Sequence, residues 1–144
     1  MTIAVDFDGT CVYSEYPNLG KEIGATPVLQ TLVANGHKII LHTMRSGKTL
    51  ADAQQWFEDN KIPLYGINEN PTQKNWTYSS KAFADLYIDD RALGAPLIRT
   101  ADRPYVDWRK VVLILQDKGC LFAEDVSRLM KPIIESQDNL SFFA

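Results

Sequence analysis

Residues 2–10 read TIAVDFDGT, an apolar run that changes abruptly into a loop with two acidic side chains. The apolar part, Thr2–Val5, is rich in β-branched residues, which predicts a buried strand. Asp6, Asp8 and Gly9 follow at once and indicate a tight loop. We therefore expect a buried strand with acidic groups at its carboxyl end.

Three further apolar runs have the length and residue types of strands. They are Lys38–Thr43, Ile62–Ile67 and Ala84–Asp89. Pro63 indicates that the second of them is an edge strand, or that the strand starts there. Residues Asn68–Ser80 are polar and lack a clear period, which predicts a long functional loop with room for one helical turn.

Apolar residues at helical spacing predict four helices. They span Pro27–Ala34, Leu50–Asn60, Trp108–Lys118 and Glu124–Ile134. Thr26 and Asp107 are the expected N-caps of the first and third helix, which end at Asn35-Gly36 and Gly119.

Three features near the carboxyl end of the sequence are less regular. Pro132 interrupts the last helical segment, so we expect the far end of that helix to be kinked or frayed. Leu97–Ile98 and Pro104–Val106 fit either strands or loops. The tail Ser141–Ala144 contains two aromatic residues that are suited either to docking on the core or to contacting a partner.

Strands that alternate with helices indicate parallel βαβ units. We find no internal repeat and no linker-like boundary, so we predict one α/β domain over residues 1–144, with a three-layer, Rossmann-like parallel sheet. In sheets of this kind, ligands bind at the carboxyl ends of the strands.

The composition disfavours several other classes of protein. Among 144 residues, 15 Lys and Arg stand against 18 Asp and Glu, a net charge of -3, so there is no global basic field and nucleic acid is disfavoured as a partner. Cys11 and Cys120 have no paired spacing, which argues against a zinc site or a disulfide framework. The start of the chain shows no signal-like segment, and its apolar windows are too short to cross a bilayer. We therefore expect a cytoplasmic protein without a membrane partner.

Chemically capable residues stand at three predicted strand ends. Asp6 and Asp8 end the first strand, Thr43 ends the second, and Asp89 and Asp90 end the fourth. Each alone is typical of a capped or solvated turn. Together they predict a crevice with four carboxylates, whose like charges need relief by a cation. Mg²⁺ is the natural choice because it prefers oxygen ligands, and Lys81 is placed to supply a fixed positive charge.

These residues resemble the motifs of the haloacid dehalogenase superfamily of phosphohydrolases over about Thr2–Pro96. The segments similar to its first, second, third and fourth motifs are Asp6–Thr10, Leu41–Thr43, Lys81 and Tyr87–Arg91. A group of small bacterial and phage hydrolases in the superfamily often has Lys-Pro where this chain has Lys81-Ala82. Lys74 is therefore a competing candidate for the third motif.

The resemblance implies covalent catalysis. Asp6 would attack a phosphoryl group and form an aspartyl-phosphate. Asp8 would protonate the leaving oxygen and then deprotonate the attacking water. An aspartate at this second position favours phosphate esters, because their alkoxide leaving groups need a proton.

The resemblance also implies a Mg²⁺ cofactor and a set of phosphate contacts. The implied metal ligands are Asp6, Asp8 through its main-chain carbonyl, Asp89 and Asp90. The implied donors to nonbridging phosphate oxygens are Thr43, Lys81 and the N–H groups around Gly9 and Thr10.

Members of the superfamily usually recognise the leaving group with a cap domain. Here only 32 residues separate Thr10 from Thr43, so no large cap fits, although residues 11–24 could form a small flap. The flap residues suited to contact a substrate are Tyr13, Glu15 and Tyr16. The loop residues suited to touch a leaving group are Arg45, Asn68, Glu69, Asn70 and Arg91.

The function predicted on these grounds is a Mg²⁺-dependent phosphatase acting on a phosphate monoester, either a small molecule or the end of a macromolecule. An open site admits large substrates or is closed by a second subunit of a homo-oligomer. Two alternatives remain: a noncatalytic, phosphate-dependent binding or regulatory protein on the same fold, and a polynucleotide end phosphatase. The second would need a local basic groove, for which the candidates are Arg99, Arg103, Arg109 and Lys110.

Overall fold

The central sheet has four parallel strands in the order β3-β2-β1-β4. The computed structural model describes the backbone of residues 1–143 and the side chains of residues 1–140. The strands are β1 (Thr2–Val5), β2 (Lys38–Leu41), β3 (Leu64–Ile67), β4 (Leu86–Ile88), β5 (Leu97–Ile98) and β6 (Tyr105–Val106). The α-helices are α1 (Ala25–Ala34), α2 (Gly47–Asp59), α3 (Trp108–Asp117) and α4 (Ala123–Phe143). A 3₁₀ turn spans Gln73–Asn75. This is an α/β fold in which helices flank a parallel sheet, compatible with a Rossmann-like arrangement.

One face of the sheet holds most of the core. Side chains alternate along β1 and β2, so that Ile3, Val5, Ile39 and Leu41 point to this face and are fully buried. Within residues 1–140, the buried apolar residues of all four α-helices belong to the same cluster. Helical packing on this face therefore fixes the register of the two central strands.

The opposite face is covered differently from the prediction. Ala4, Ile40 and Ala84 form its small buried cluster, with Tyr65 packed against it. The covering chain is residues 68–85, the crossover from β3 to β4, whose only regular element is the 3₁₀ turn. The crossover from β3 to β4 is thus a long loop with one 3₁₀ turn, where a regular three-layer fold would have a helix.

The side chain of Gln73 organises that loop. Its amide nitrogen donates to the carbonyl oxygens of Ser79 and Lys81, and its amide oxygen accepts from the Phe83 N–H at 2.7 Å. Gln73 is almost fully buried, so these bonds satisfy its polar atoms where water is excluded. The predicted long loop with a helical turn is confirmed.

Some of the predicted helix and strand boundaries agree with the structure, and others differ from it. Pro63 does precede an edge strand, and Asp107 does cap α3, with its carboxylate accepting from the Arg109 N–H. Thr26 is not the cap of α1, which begins at Ala25 after Gly24. The Thr26 hydroxyl instead donates to the Glu22 carboxylate. Helix α2 begins at Gly47, three residues earlier than its apolar spacing indicates.

Helix α4 continues through Pro132 and runs to Phe143, so it is not frayed at the proline. Proline costs one intrahelical hydrogen bond, but Leu129, Ile133 and Leu140 are buried on the inner face of the helix. Apolar burial on both sides of the proline thus outweighs the lost bond. The aromatic side chains of the tail lie outside the described residues. No helix in the described part is both long and apolar enough to cross a membrane.

A two-stranded antiparallel unit, formed by the ambiguous segments as β5 and β6, braces the loop after β1. The Val106 N–H donates to the Gly9 carbonyl at 2.9 Å. The Trp108 indole N–H donates to the Thr10 carbonyl at 2.8 Å, and Trp108 is fully buried. The loop that holds the acidic residues is therefore anchored from the far end of the chain.

Replacing Trp108 by Phe should destabilise the protein. The substitution leaves the buried Thr10 carbonyl without its donor, which costs about 1–3 kcal/mol of unfolding free energy, and it adds a cavity. Urea unfolding of both proteins measures the difference. The matched control is Trp76→Phe, since Trp76 is 67% exposed and should change stability by less than about 0.5 kcal/mol. Equal stability of the wild type and Trp108→Phe would contradict the anchoring role.

Candidate functional site

The carboxyl ends of β1 and β4 lie side by side and place three acidic side chains together. The Asp6 N–H donates to the Ile88 carbonyl at 3.0 Å, so the parallel pairing extends to the last residues of both strands. One carboxylate oxygen from each of Asp6, Asp89 and Asp90 lies within 4.8 Å of the other two. Three of the acids predicted for this edge thus share one pocket.

The electrostatics of this cluster are unfavourable without a positive charge. Burial raises the pKa of Asp6 to about 8, and the charge of Asp89 and a hydrogen bond with Asp90 add to the effect. Burial also raises the pKa of Asp90. These pKa shifts favour the protonated form of the cluster, and a bound cation would offset its negative charge in the place of that proton.

The three carboxylates fit a hard divalent cation. Mg²⁺–oxygen bonds of about 2.0–2.1 Å place adjacent ligands of one octahedral ion about 2.9 Å apart and opposite ones about 4.2 Å apart. Three oxygens within 4.8 Å of one another can therefore share an ion after moving inward. The ligand set is all oxygen, which suits Mg²⁺ rather than a soft transition metal. The oxygen ligands of this site are therefore suited to bind a hard divalent cation.

The loop after β1 is shaped around the cluster. The buried Thr10 hydroxyl donates to Asp6 Oδ2 at 2.9 Å and accepts from the Asp90 N–H at 3.0 Å, so one side chain links the two strand ends. Gly9 has φ +84°, and a Cβ there would lie 2.5 Å from Asp90 Oδ2. Glycine is required at this position because the Asp90 carboxylate packs directly against its α-carbon.

The N–H groups of Gly9 and Thr10 are already bonded within the loop. The Gly9 N–H donates to the Val12 carbonyl at 2.7 Å and the Thr10 N–H to the Phe7 carbonyl at 3.1 Å. Both donors are consumed inside the turn, so neither is available for a phosphate oxygen. Gly9 and Thr10 instead shape the turn and hold the acidic side chains in position.

Asp8 lies next to the cluster but its carboxylate is not part of it. Both carboxylate oxygens accept hydrogen bonds from Arg45, from Nε at 2.8 Å and from Nη2 at 2.7 Å. Arg45 is 3% exposed although it lines the cleft. The prediction that Arg45 contacts a leaving group is not supported, because its guanidinium is fully engaged with the protein.

Thr43 and Asn68 lie at the ends of β2 and β3. The Asn68 side-chain oxygen accepts from the Thr43 N–H at 2.8 Å, and the Thr43 hydroxyl accepts from the Arg45 N–H at 3.1 Å. Thr43 lines the cleft, whereas Asn68, Glu69 and Asn70 line a separate depression under the loop. Asn68 therefore supports the backbone of Thr43, and the prediction that Asn68, Glu69 and Asn70 face a leaving group is not supported.

Neither lysine proposed for the third motif lines this cleft. The Lys81 ammonium lies 5.4 Å from the centroid of the Tyr87 ring on the second face of the sheet, and Lys74 lines the depression under the loop. Arg91 lines the cleft directly and is exposed, and its backbone N–H donates to Asp89 Oδ1 at 2.8 Å. Arg91 is thus the accessible positive charge nearest the acidic cluster among the residues that line the cleft.

The cleft has a volume of about 370 Å³. Its lining consists of Asp6, Asp8, Ser14, Tyr16, Thr43, Met44, Arg45, Asp89, Asp90 and Arg91. Sequence reasoning missed Ser14 and Met44. Met44 is 98% exposed. It stands between Thr43 and Arg45, two predicted site residues, and their position is the signal that could have identified it. Ser14 belongs to the segment 11–24, where no residue pattern distinguishes it.

That segment forms a hairpin-like flap beside the cleft. Val12 is bridged to both Asp8 and Glu22, and the Tyr13 N–H donates to the Lys21 carbonyl at 2.9 Å. Of the basic residues considered for a nucleic-acid groove, Arg103 donates to the Ser14 hydroxyl and Arg109 forms an ion pair with Asp107. The positive charge of Arg109 is therefore largely neutralised within its own helix cap.

Comparison with known proteins identifies one clear relative. No model of a known protein family matches the chain, and no curated protein matches it. A solved structure of a conserved protein from Bacteroides thetaiotaomicron is 34% identical, with a TM-score of 0.66, and the match covers 88% of this chain and 96% of that one. The chain belongs to the family of this conserved Bacteroides protein.

Proposed function

We propose that this protein is a Mg²⁺-dependent phosphatase that acts on phosphate monoesters through an aspartyl-phosphate at Asp6. The observation that supports it most is the half-buried cluster of Asp6, Asp89 and Asp90, which lines an open cleft. The resemblance of its loop and strand ends to the haloacid dehalogenase motifs supports the same chemistry.

In the first step, an Asp6 carboxylate oxygen forms a bond to phosphorus as the bond from phosphorus to the ester oxygen breaks. The electron pair of the broken bond stays on the ester oxygen, which takes a proton from Asp8 and leaves as an alcohol. In the second step, water gives a proton to Asp8 while its oxygen bonds to phosphorus. The bond from phosphorus to Asp6 then breaks, which releases inorganic phosphate and restores both carboxyl groups.

Asp6, Asp89 and Asp90 would hold the cation. When bound, Mg²⁺ neutralises charge between the anionic nucleophile and the anionic substrate. Thr10 holds the Asp6 carboxylate in place, because its hydroxyl donates a hydrogen bond to Asp6 Oδ2. The nucleophile is therefore fixed on a rigid strand end, which favours alignment with a bound phosphoryl group.

Thr43 and Arg91 are the groups proposed to bind the nonbridging phosphate oxygens. Thr43 offers a hydroxyl on the β2 side of the cleft, and Arg91 offers a guanidinium on the β4 side. Planar N–H donors match phosphate oxygens well, so Arg91 can assume the role that the sequence assigned to Lys81. The leaving group would contact the other exposed or polar residues of the cleft lining, namely Ser14, Tyr16 and Met44.

The direct test of the proposal is Asp6→Asn with nitrophenyl phosphate as substrate. We expect wild-type turnover that requires Mg²⁺, and a loss on the order of 10³-fold or more in Asp6→Asn, because the amide is a poor nucleophile. Mass spectrometry of the quenched wild-type reaction should find a phosphoryl group on Asp6. The control is Asp52→Asn, an acid on α2 that pairs with Lys48 and does not line the cleft. Wild-type turnover equal to that of Asp6→Asn across a panel of phosphate esters would contradict the proposal.

Gly9→Ala should weaken Mg²⁺ binding by displacing Asp90. The added methyl group collides with Asp90 Oδ2, so one of the three ligands has to move. Gly36→Ala is a close control, since Gly36 has φ +88° and a Cβ there meets nothing within 4 Å. Both variants should lose about 1–2 kcal/mol of stability from the strained backbone. Only Gly9→Ala should lower Mg²⁺ affinity in calorimetric titration, and equal affinities in the two variants would refute the packing argument.

Arg91→Met and Lys81→Met separate the two candidates for the phosphate-binding cation. We expect Arg91→Met to weaken competitive inhibition by inorganic phosphate by about 10-fold, equivalent to about 1.4 kcal/mol. Lys81→Met should change it by less than about 2-fold, because Lys81 lies beside Tyr87 outside the cleft. The reverse order of effects would show that Lys81 reaches the bound phosphate.

A further inference from the structure

From the contacts of Arg45 we infer, on the basis of the proposed phosphatase activity, that this residue positions the general acid Asp8 and couples it to the flap formed by residues 11–24. Arg45 would act on the reaction through Asp8 and would not bind the substrate itself. The inference rests on how the guanidinium is bonded and on where its partners lie in the chain.

The guanidinium of Arg45 makes five hydrogen bonds to the protein. Two go to the Asp8 carboxylate, as described, in the bidentate geometry that fixes a carboxylate plane. The other three go to the carbonyl oxygens of Pro17 at 3.2 Å, Asn18 at 2.8 Å and Thr49 at 3.2 Å. A guanidinium has five N–H donors, so this set uses its full capacity. No donor is left to recognise a ligand.

Its partners come from three separate parts of the fold. Asp8 is in the loop after β1, Pro17 and Asn18 are in the flap, and Thr49 is in the first turn of α2. The guanidinium carbon also lies 5.0 Å from the centroid of the Phe7 ring and 5.2 Å from that of Tyr16, a flap residue. Flap, acid and helix therefore meet at one buried cation, and a movement of the flap changes the hydrogen bonds that orient Asp8.

The pairing leaves part of the Asp8 carboxylate open to the cleft. Each carboxylate oxygen has two lone pairs, so the two bonds from Arg45 leave one free on each oxygen. The Asp8 side chain is 20% exposed and lines the cleft, whereas that of Arg45 is 1% exposed. The arrangement is that of a proton donor at the cleft with a rigid support behind it.

Lysine should not replace arginine here. An ammonium group keeps the charge, but it is a point donor with three N–H bonds and cannot hold both carboxylate oxygens while reaching the flap carbonyls. Arg45→Lys should therefore leave Asp8 in place but poorly oriented. The consequence is a defect in protonation of the leaving group rather than in attack by Asp6.

The experiment compares two substrates whose leaving groups differ in their need for a proton. Dinitrophenolate leaves without protonation, whereas an alkoxide from an alkyl phosphate needs the proton of Asp8. We expect Arg45→Lys to lower kcat/KM for the alkyl phosphate by about 10–100-fold and for dinitrophenyl phosphate by less than about 3-fold. Asp8→Asn should show the same selectivity. Equal losses on both substrates would overturn the inference.

A double-mutant cycle tests whether Arg45 acts through Asp8. On the Asp8→Asn background, Arg45→Lys should cause no further loss with the alkyl phosphate, since its effect has already been removed. Additive losses would show that Arg45 acts elsewhere and would overturn the inference. Absence of any Asp6-dependent turnover in the wild type would be a different result, because it would refute the proposed phosphatase activity itself.

Coupling to the flap is tested by Gly20→Ala, which replaces no side chain of Asp8, Arg45 or the cleft lining but moves the flap that carries Ser14 and Tyr16. A Cβ at Gly20 would lie 1.5 Å from the Tyr13 carbonyl oxygen, so the flap has to shift. We expect the same selective loss on the alkyl phosphate, with dinitrophenyl phosphate turnover showing that the protein is folded. This variant also serves if Arg45→Lys fails to fold. A shifted flap with unchanged selectivity would overturn the coupling.

Discussion

The site depends on one electrostatic constraint, namely that three half-buried carboxylates lie close together at two adjacent strand ends. Like charges this close disfavour one another's ionisation, which is why burial and neighbouring acids raise the pKa of Asp6 to about 8. Such an arrangement lowers the stability of the chain unless a cation or a proton is present. A bound cation would relieve this repulsion, which is why the cluster is the candidate site of the fold.

The surrounding structure keeps the acids together against this repulsion. Thr10 links Asp6 to the Asp90 backbone, the lack of a side chain at Gly9 makes room for the Asp90 carboxylate, and Trp108 anchors the Thr10 carbonyl from α3. Residues that follow two adjacent strands, together with one from a late helix, thus stabilise one short loop. The long-range nature of these contacts explains why the chain after β4 is needed for a site built mainly from earlier strands.

The sequence predicts the part of the site that depends only on strand topology. An apolar run followed at once by an acid predicts a strand end, and parallel strands bring their carboxyl ends to one edge, so Asp6, Asp89 and Asp90 could be placed together. Lys81 could not be placed, because its position depends on a loop that is held by the side chain of Gln73 and lies on the other face of the sheet. Loops without periodicity carry no such positional information.

The two arginines near the cleft show why residue type does not establish a role. Arg45 and Arg91 both follow strand ends, and both looked suited to contact a leaving group. Arg45 is buried and uses its five donors on protein acceptors, whereas Arg91 is exposed at the rim. A guanidinium whose donors are satisfied internally cannot bind a phosphate without losing bonds of comparable strength, so it acts as a support. An exposed guanidinium beside an acidic cluster has lost little hydration and keeps its donors for a ligand. The distinction depends on three-dimensional partners that no spacing in the sequence records.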